Sequence, residues 1–211
     1  MKKNSIPSKT IERLSLYRRI LKNELSNNKE YIFSYDLAAL AQCKPDLIRR
    51  DLMYLKEVFS TKKGYRIDYL INNIGLILDS QEKQKMAVIG IGNIGRALIN
   101  FFKGRMKNLE IAAAFDVDKE KTERVISGCR CYHIDSLSKI IKKENITIGI
   151  ITVPESEAQL ISELLINAGI KGIVNIAPVP IKDTPGVYVE NLDLTTYFEK
   201  TAYFAKLFSG I

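Results

Sequence analysis

The sequence predicts an α/β chain in which a small, basic, helical domain stands ahead of a doubly wound parallel-sheet domain. Three observations predict it. Residues 85–96, KMAVIGIGNIGR, run from a short apolar strand through a glycine turn into an amphipathic helix. From Met86 onward, apolar strands and amphipathic helices alternate, which is the pattern of a parallel sheet with crossover helices. The charge is unevenly spread: residues 1–80 hold 15 Lys and Arg against 9 Asp and Glu, a net of +6, whereas residues 81–211 hold 17 against 15, a net of +2. With 211 residues, 46% of them hydrophobic, the chain can bury a core for one domain or two small ones, and this asymmetry favours two.

In the basic part, Ser8 is placed to cap a first helix whose apolar face is Ile11, Leu14, Tyr17, Leu21 and Leu25, and Asn27-Asn28 ends it. Ser34 is placed to cap a short second helix, with Asp36 in its first turn and Leu37, Ala38, Leu40 and Ala41 pointing inward. After the tight break Gln42-Cys43-Lys44, Pro45 suits the first turn of a third helix, where its missing N–H is no loss. Leu47, Ile48, Leu52, Met53 and Leu55 supply that helix's apolar side. Two short helices joined by a three-residue turn make a helix-turn-helix. The polar stretch Ser60 to Gly64, between Val58-Phe59 and Tyr65-Arg66-Ile67, fits the hairpin of a winged-helix domain. A connecting helix through Ile67, Leu70, Ile71, Ile74 and Leu78 then leads to the polar boundary at 79–85.

Beyond it the alternation places strands near 86–90, 109–115, 129–132, 146–152 and 172–176, with helices near 94–104, 119–126, 136–143 and 156–168, a Rossmann-like arrangement. The last segment, Leu194 to Phe208, carries Tyr197, Phe198, Ala202, Tyr203, Leu207 and Phe208, too heavy a load for a solvated terminal helix. It calls for a partner surface.

The glycine turn carries the clearest chemistry. Gly90 permits the tight turn, Gly92 lets backbone approach a pyrophosphate, and Gly95 lets helix and strand pack closely, while Ile91, Asn93 and Ile94 lie between them. The following helix offers its N–H groups and dipole to the phosphates, and Asp116 ends the second strand about 20 residues on, where a carboxylate accepts from the adenine ribose and repels a 2′-phosphate. NAD and NADH are therefore favoured over their phosphorylated counterparts. Asp118 is the fallback for that role, although it reads better as the cap of the next helix.

In the basic domain, Lys44, Arg49 and Arg50 surround the third helix, Lys62 and Lys63 lie in the wing, and Arg18 and Arg19 lie on the first helix. Such side chains neutralise DNA phosphates or reach guanine edges in the major groove. Catalytic machinery is hard to find. There is no Tyr-x-x-x-Lys pair, and only about 35 residues follow the fifth strand, too few for a separate catalytic domain. Cys129, Cys131 and His133 alternate on one predicted strand and read as ordinary strand residues rather than metal ligands; with Cys43 they make an odd cysteine count and no disulfide framework. No export signal or membrane span is read, so a cytoplasmic protein is expected.

Over nearly the whole chain these residues resemble the Rex family of redox-sensing transcriptional repressors. The matching segments are Ile6-Pro7 with Arg13-Leu14-Ser15-Leu16-Tyr17, Arg49-Arg50-Asp51-Leu52, Gly90 to Gly95, Ala114 to Asp118, Val153-Pro154-Glu155 with Ala158-Gln159, Ala168 to Gly172, Asn175 to Pro178 and Glu190 to Leu194, all in family order. The resemblance implies a winged-helix DNA-binding domain at 1–80, a Rossmann dinucleotide-binding domain at 81–192 to which Val153 and Pro154 contribute, and a swapped C-terminal helix at 193–211 that crosses to the other copy of a homodimer. It also implies a repressor that binds palindromic operator DNA in the apo or NAD form and releases it on NADH binding. Arg13 and Asp193 match positions of a state-dependent ion pair between subunits, and Phe101 stands where the family commonly has Tyr beside the nicotinamide. The chain departs from the family in the wing, where Leu55 to Tyr65 has lost most of the usual glycines, and at Ser15 and Met53. Glycine permits backbone that Lys, Phe and Ser disfavour, so altered or lost operator binding in a dinucleotide-binding paralogue is one alternative. A small NAD-dependent oxidoreductase is the other.

Overall fold

The structure is a computed structural model and describes residues 6–56, 60–105 and 108–209. Its contacts divide the chain into two compact units, Met1–Gln81 and Glu82–Ile211.

In the first unit, α1 (Ser8–Ser26) buries Leu14, Tyr17 and Leu21 completely. Ser8 is already helical. The capping position falls to Pro7, whose carbonyl accepts the N–H groups of Thr10 and Ile11 and whose ring fixes φ at −58°. β1 (Tyr31–Ile32) precedes α2 (Ser34–Leu40), which likewise begins at its expected cap and not after it: Phe33 holds the capping place, and the Asp36 carboxylate accepts its N–H at 3.4 Å. α3 (Pro45–Leu52) begins with proline in its first turn, as the sequence predicts, after a connection of four residues rather than three. β2 (Tyr65–Arg66) pairs antiparallel with β1 and leads directly into α4 (Ile67–Leu78). Leu37, Ala38, Ile48, Leu52, Leu55, Ile67, Leu70 and Ile74 close the core with α1. Leu25, Leu40 and Met53 do not join it. They stand exposed, Met53 at 82%, because each lies at or next to a helix end where the apolar stripe has rotated away from the core.

The wing is a Thr61–Gly64 bridge closing over Lys62 and Lys63. Gly64 has φ +96°, and a Cβ there would sit 2.6 Å from the Ile32 carbonyl oxygen, so this position requires glycine. The expected first strand of the hairpin, Val58-Phe59, lies outside the described residues.

The second unit is one seven-stranded sheet. β3 (Gln84–Ile89), α5 (Asn93–Phe102), β4 (Leu109–Asp116), β5 (Val125–Ile126), β6 (Cys129–His133), α6 (Leu137–Glu144), β7 (Ile146–Ile151), α7 (Glu155–Ala168), β8 (Gly172–Asn175), β9 (Tyr188–Asn191) and α8 (Leu194–Ser209) follow in order. The spatial order is β5-β6-β4-β3-β7-β8-β9, parallel except for β5. Alternate residues of β3 face two separate cores. Ala87 and Ile89 pack with α6 and α7, while Met86 and Val88 pack with Ile99 of α5. The sheet is therefore doubly wound, as the alternation predicts.

Two edge strands, β5 and β9, were not legible in the pattern, and the helix expected near 119–126 does not form. A single turn closes with the Thr122 N–H donating to the Asp118 carbonyl, and Glu123 then takes φ +58°, which no helix can continue through. Glu123 donates its N–H to Cys131 instead, and Ser127-Gly128, both at positive φ, make a two-residue turn between β5 and β6.

Candidate dinucleotide and nucleic-acid sites

The chain leaves β3 toward β4 on one side and later returns to β7 on the other. The carboxyl ends of β3 and β7 therefore lie side by side at the point where a doubly wound sheet opens its ligand crevice. A cleft of about 590 Å³ is found there, lined among others by Gly90, Gly92, Asp116, Lys121, Val153 and Pro154. Of the residues expected at the cofactor site, Gly90, Gly92, Asp116, Val153 and Pro154 thus share one cleft.

The three glycines do different work. Gly90 holds φ +94°, and a Cβ would meet the Thr152 carbonyl oxygen and Val153 Cγ1 at 2.9 Å. At Gly95 a Cβ would lie 2.2 Å from the Gly90 carbonyl oxygen, so the helix seats on the strand only because no side chain is present. Around Gly92, by contrast, a Cβ would meet nothing within 4 Å. That open space caps the N-terminus of α5, where backbone N–H groups and the helix dipole suit a pyrophosphate. Asn93 and Ile94 form the first turn of α5. Ile91 is fully buried in the core shared with α5, which leaves only its backbone toward the turn.

Even that backbone is engaged. The Ile91 N–H donates to Asp116 Oδ2 at 2.7 Å, and the Asp118 N–H donates to Asp116 Oδ1 at 2.9 Å. Lys121 Nζ lies 3.2 Å from Asp116 and 3.4 Å from Asp118. Burial alone would raise the Asp116 pKa, but these N–H groups and the ammonium outweigh it and hold the carboxyl below its ordinary value. From the β7 side, Thr152 Oγ1 donates to the carbonyls of Gly90 at 2.6 Å and Ile89 at 3.0 Å. Sequence reasoning missed both Thr152 and Lys121. Thr152 directly precedes the Val153-Pro154 segment, which was the available signal.

In the first unit, Lys44, Arg49, Arg50, Lys62 and Lys63 are all exposed. Arg49 donates to Ser34 Oγ at 3.0 Å and pairs with Asp46, which holds it against the start of α2. Lys63 Nζ stands 5.7 Å from the Tyr31 ring centroid. Arg18, grouped with these cations in the sequence, is committed elsewhere: its Nη1 donates to both Asp79 oxygens at 2.8 Å.

Arg13 is bound within its own unit. Its Nε donates to Asp51 Oδ2 and its Nη2 to Oδ1, and Tyr17 Oη and Thr10 Oγ1 also donate to the same carboxylate. Asp51 lies on α3 and is 2% exposed. Asp193 accepts the N–H groups of Thr195 and Thr196 at the start of α8. Phe101 is half exposed, with the Arg105 guanidinium 4.6 Å from its ring centroid. Burial pushes both strand thiols, Cys129 and Cys131, up to about 11, so they are poor nucleophiles. No described helix is long and apolar enough to cross a membrane.

A helix-turn-helix with a basic wing, joined in one chain to a Rossmann-like domain whose glycine turn opens a helix N-terminus, defines the class: a DNA-binding module carried with a nucleotide-binding one. Residues 5–52 match the family described as "Putative DNA-binding protein N-terminus", and residues 81–179 match the CoA binding domain. Along nearly its full length the chain is 41% identical to the redox-sensing transcriptional repressor Rex of Syntrophobacter fumaroxidans, covering 96% of this chain and 97% of that protein. It is 35% identical to that of Lactobacillus acidophilus, covering 97% of each. The chain belongs to the Rex family of redox-sensing transcriptional repressors. Among solved structures, the Rex-family repressor RSP in complex with NAD+ and operator DNA superposes with a TM-score of 0.90 at 26% identity, covering 98% of this chain and 95% of that one. RSP in complex with NADH gives 0.86 at 27% identity, covering 98% and 97%. The relatives are named as repressors rather than as enzymes.

Proposed function

We propose that this chain is a DNA-binding repressor that senses the NADH/NAD ratio, holding palindromic operator DNA in the apo or NAD form and releasing it when NADH binds. The observation that carries this reading is a likeness that spans both units at once: RSP, whose structures were solved with NAD+ and operator DNA and with NADH, aligns over 98% of the chain. The winged-helix domain, 1–80, contacts DNA through Lys44, Arg49, Arg50, Lys62 and Lys63. The Rossmann domain, 81–192, holds the dinucleotide through the backbone of Gly90 to Gly95, with Asp116, Val153 and Pro154 around it. The open space at Gly92 and the N-terminus of α5 fit a pyrophosphate.

The segment 193–211 crosses to a second copy and makes a homodimer. Supporting this, Tyr197, Phe198, Tyr203, Leu207 and Phe208 are each at least 58% exposed on α8, more apolar surface than a solvated helix tolerates. NADH shifts the equilibrium between DNA-competent and DNA-incompetent dimers only by the difference in its affinity for the two, a coupling of about 1–3 kcal/mol. Arg13, Phe101 and Asp193 carry the switch.

The test is fluorescence anisotropy of a labelled palindromic DNA carrying a Rex-like operator, at fixed salt, with protein and NAD, followed by added NADH. Tight binding that NADH reverses is the expected result. Operator held no more tightly than random DNA, by protein that binds NADH, overturns the repressor reading.

A further inference from the structure

The carboxylate expected to read the ribose is already occupied. Asp116 is 8% exposed, and both of its oxygens accept backbone N–H groups, one from the glycine turn itself and one from its own loop. Its first work is to fix the turn. The group beside it in the cleft wall is Lys121, whose ammonium sits 3.2 Å from Asp116 and 3.4 Å from Asp118. Asp118 is the second partner of this ammonium, and its Oδ1 accepts the N–H of Glu120 at 2.9 Å. The pairing with both carboxylates raises the Lys121 pKa despite partial burial, so the charge is fixed.

The end of β4 therefore presents one positive and two negative charges rather than a lone carboxylate. We propose that Lys121 is a specificity residue of the dinucleotide site: its ammonium, held in place by Asp116 and Asp118, donates to the adenosine ribose and reduces the repulsion that Asp116 alone exerts on a 2′-phosphate. This rests on the dinucleotide reading above. It makes the preference for NADH over NADPH a balance among three side chains, set by Lys121 and Asp118 as much as by Asp116. Coulomb attraction at this range acts on the phosphorylated cofactor far more than on the neutral ribose diol, so altering Lys121 changes the ratio of the two affinities and not merely their common level.

Calorimetric titration of the full chain with NADH and with NADPH tests this. K121A is expected to weaken NADPH about fivefold more than NADH, and K121E to widen the gap further. D118N, which releases the ammonium from one carboxylate, is expected to narrow it. K121R, which keeps the charge, should hold the ratio near that of the unaltered chain. Equal changes for both cofactors in K121A and K121E, or a ratio that shifts as far with Arg as with Ala, overturn the proposal. Failure of the unaltered chain to bind NADH overturns instead the dinucleotide reading on which it rests, so the two failures are distinct.

Discussion

Arg13 and Asp51, 38 positions apart, form a two-pronged ion pair, with Nε 2.6 Å from one carboxylate oxygen and Nη2 2.7 Å from the other. The pair ties α1 to α3, and Tyr17 and Thr10 complete the hydrogen bonding of a carboxylate that is almost fully buried. Removing the cation leaves an uncompensated buried charge. Arg13→Ala is therefore expected to destabilise the first unit by about 3 kcal/mol, read as a lower urea midpoint of its unfolding transition.

The same pair predicts a pH dependence. Burial would raise the Asp51 pKa, but the hydrogen bonds from Arg13, Tyr17 and Thr10 outweigh it and leave the value lowered. A carboxyl held low when folded contributes stability in full above its unfolded value, about 4, and loses it as pH falls through the folded value. Acid unfolding of the first unit should thus steepen below about pH 4. Asp51→Asn should remove that extra steepness, at the cost of lower stability at neutral pH.

Two glycines in one turn should respond in opposite ways. Gly92→Ala adds a methyl where nothing lies within 4 Å, so the chain should fold with an unchanged Tm. On the proposed reading that space receives the pyrophosphate, so NADH affinity should fall. Gly95→Ala drives a methyl to 2.2 Å from a backbone carbonyl and should lower the Tm as well. Thermal scans with and without NADH separate the two; an NADH-binding Gly92→Ala variant would remove the turn from the site.

The exposed face of α8 predicts an assembly. Sedimentation of the unaltered chain should report a dimer, and Phe198→Glu combined with Phe208→Glu should shift it to monomer, since both rings are more than 70% exposed within one chain.

Binding to DNA should show itself in salt dependence. Each of Arg49→Ala, Arg50→Ala and the double change Lys62→Ala with Lys63→Ala is expected to lower the slope of log affinity against log salt by about 1 for each phosphate no longer neutralised. An unchanged slope for the wing pair would place DNA elsewhere.

What the sequence disclosed was local in the chain. The glycine turn, the proline that opens α3 and the alternating strands are all written in neighbouring residues, and each is in place. What it did not disclose depends on distant partners. Asp51 is named in the sequence only within the matching segment Arg49 to Leu52, and its partners stay hidden until Arg13 and Tyr17 are brought to it from α1. Lys121 reads as a helix-surface lysine because nothing in 119–126 announces that Glu123 will take positive φ and end the helix. β1 and β2, at two residues each, are too short to show any period. Ser8 and Ser34 have the chemistry of caps but were displaced by one residue, a distance at which pattern alone does not discriminate.

The glycine turn is braced from two strands, by Asp116 at the end of β4 and by Thr152 at the end of β7. The disorder such a loop would otherwise keep is thus surrendered during folding, not at the moment of encounter with a ligand. Binding should therefore be accompanied by little rigidification of the turn and little added protection of its amides from exchange. On the proposed reading, a socket this stiff serves the pyrophosphate that oxidised and reduced cofactor share; the turn is an anchor, and the ability to tell the two apart has to come from contacts to the nicotinamide end.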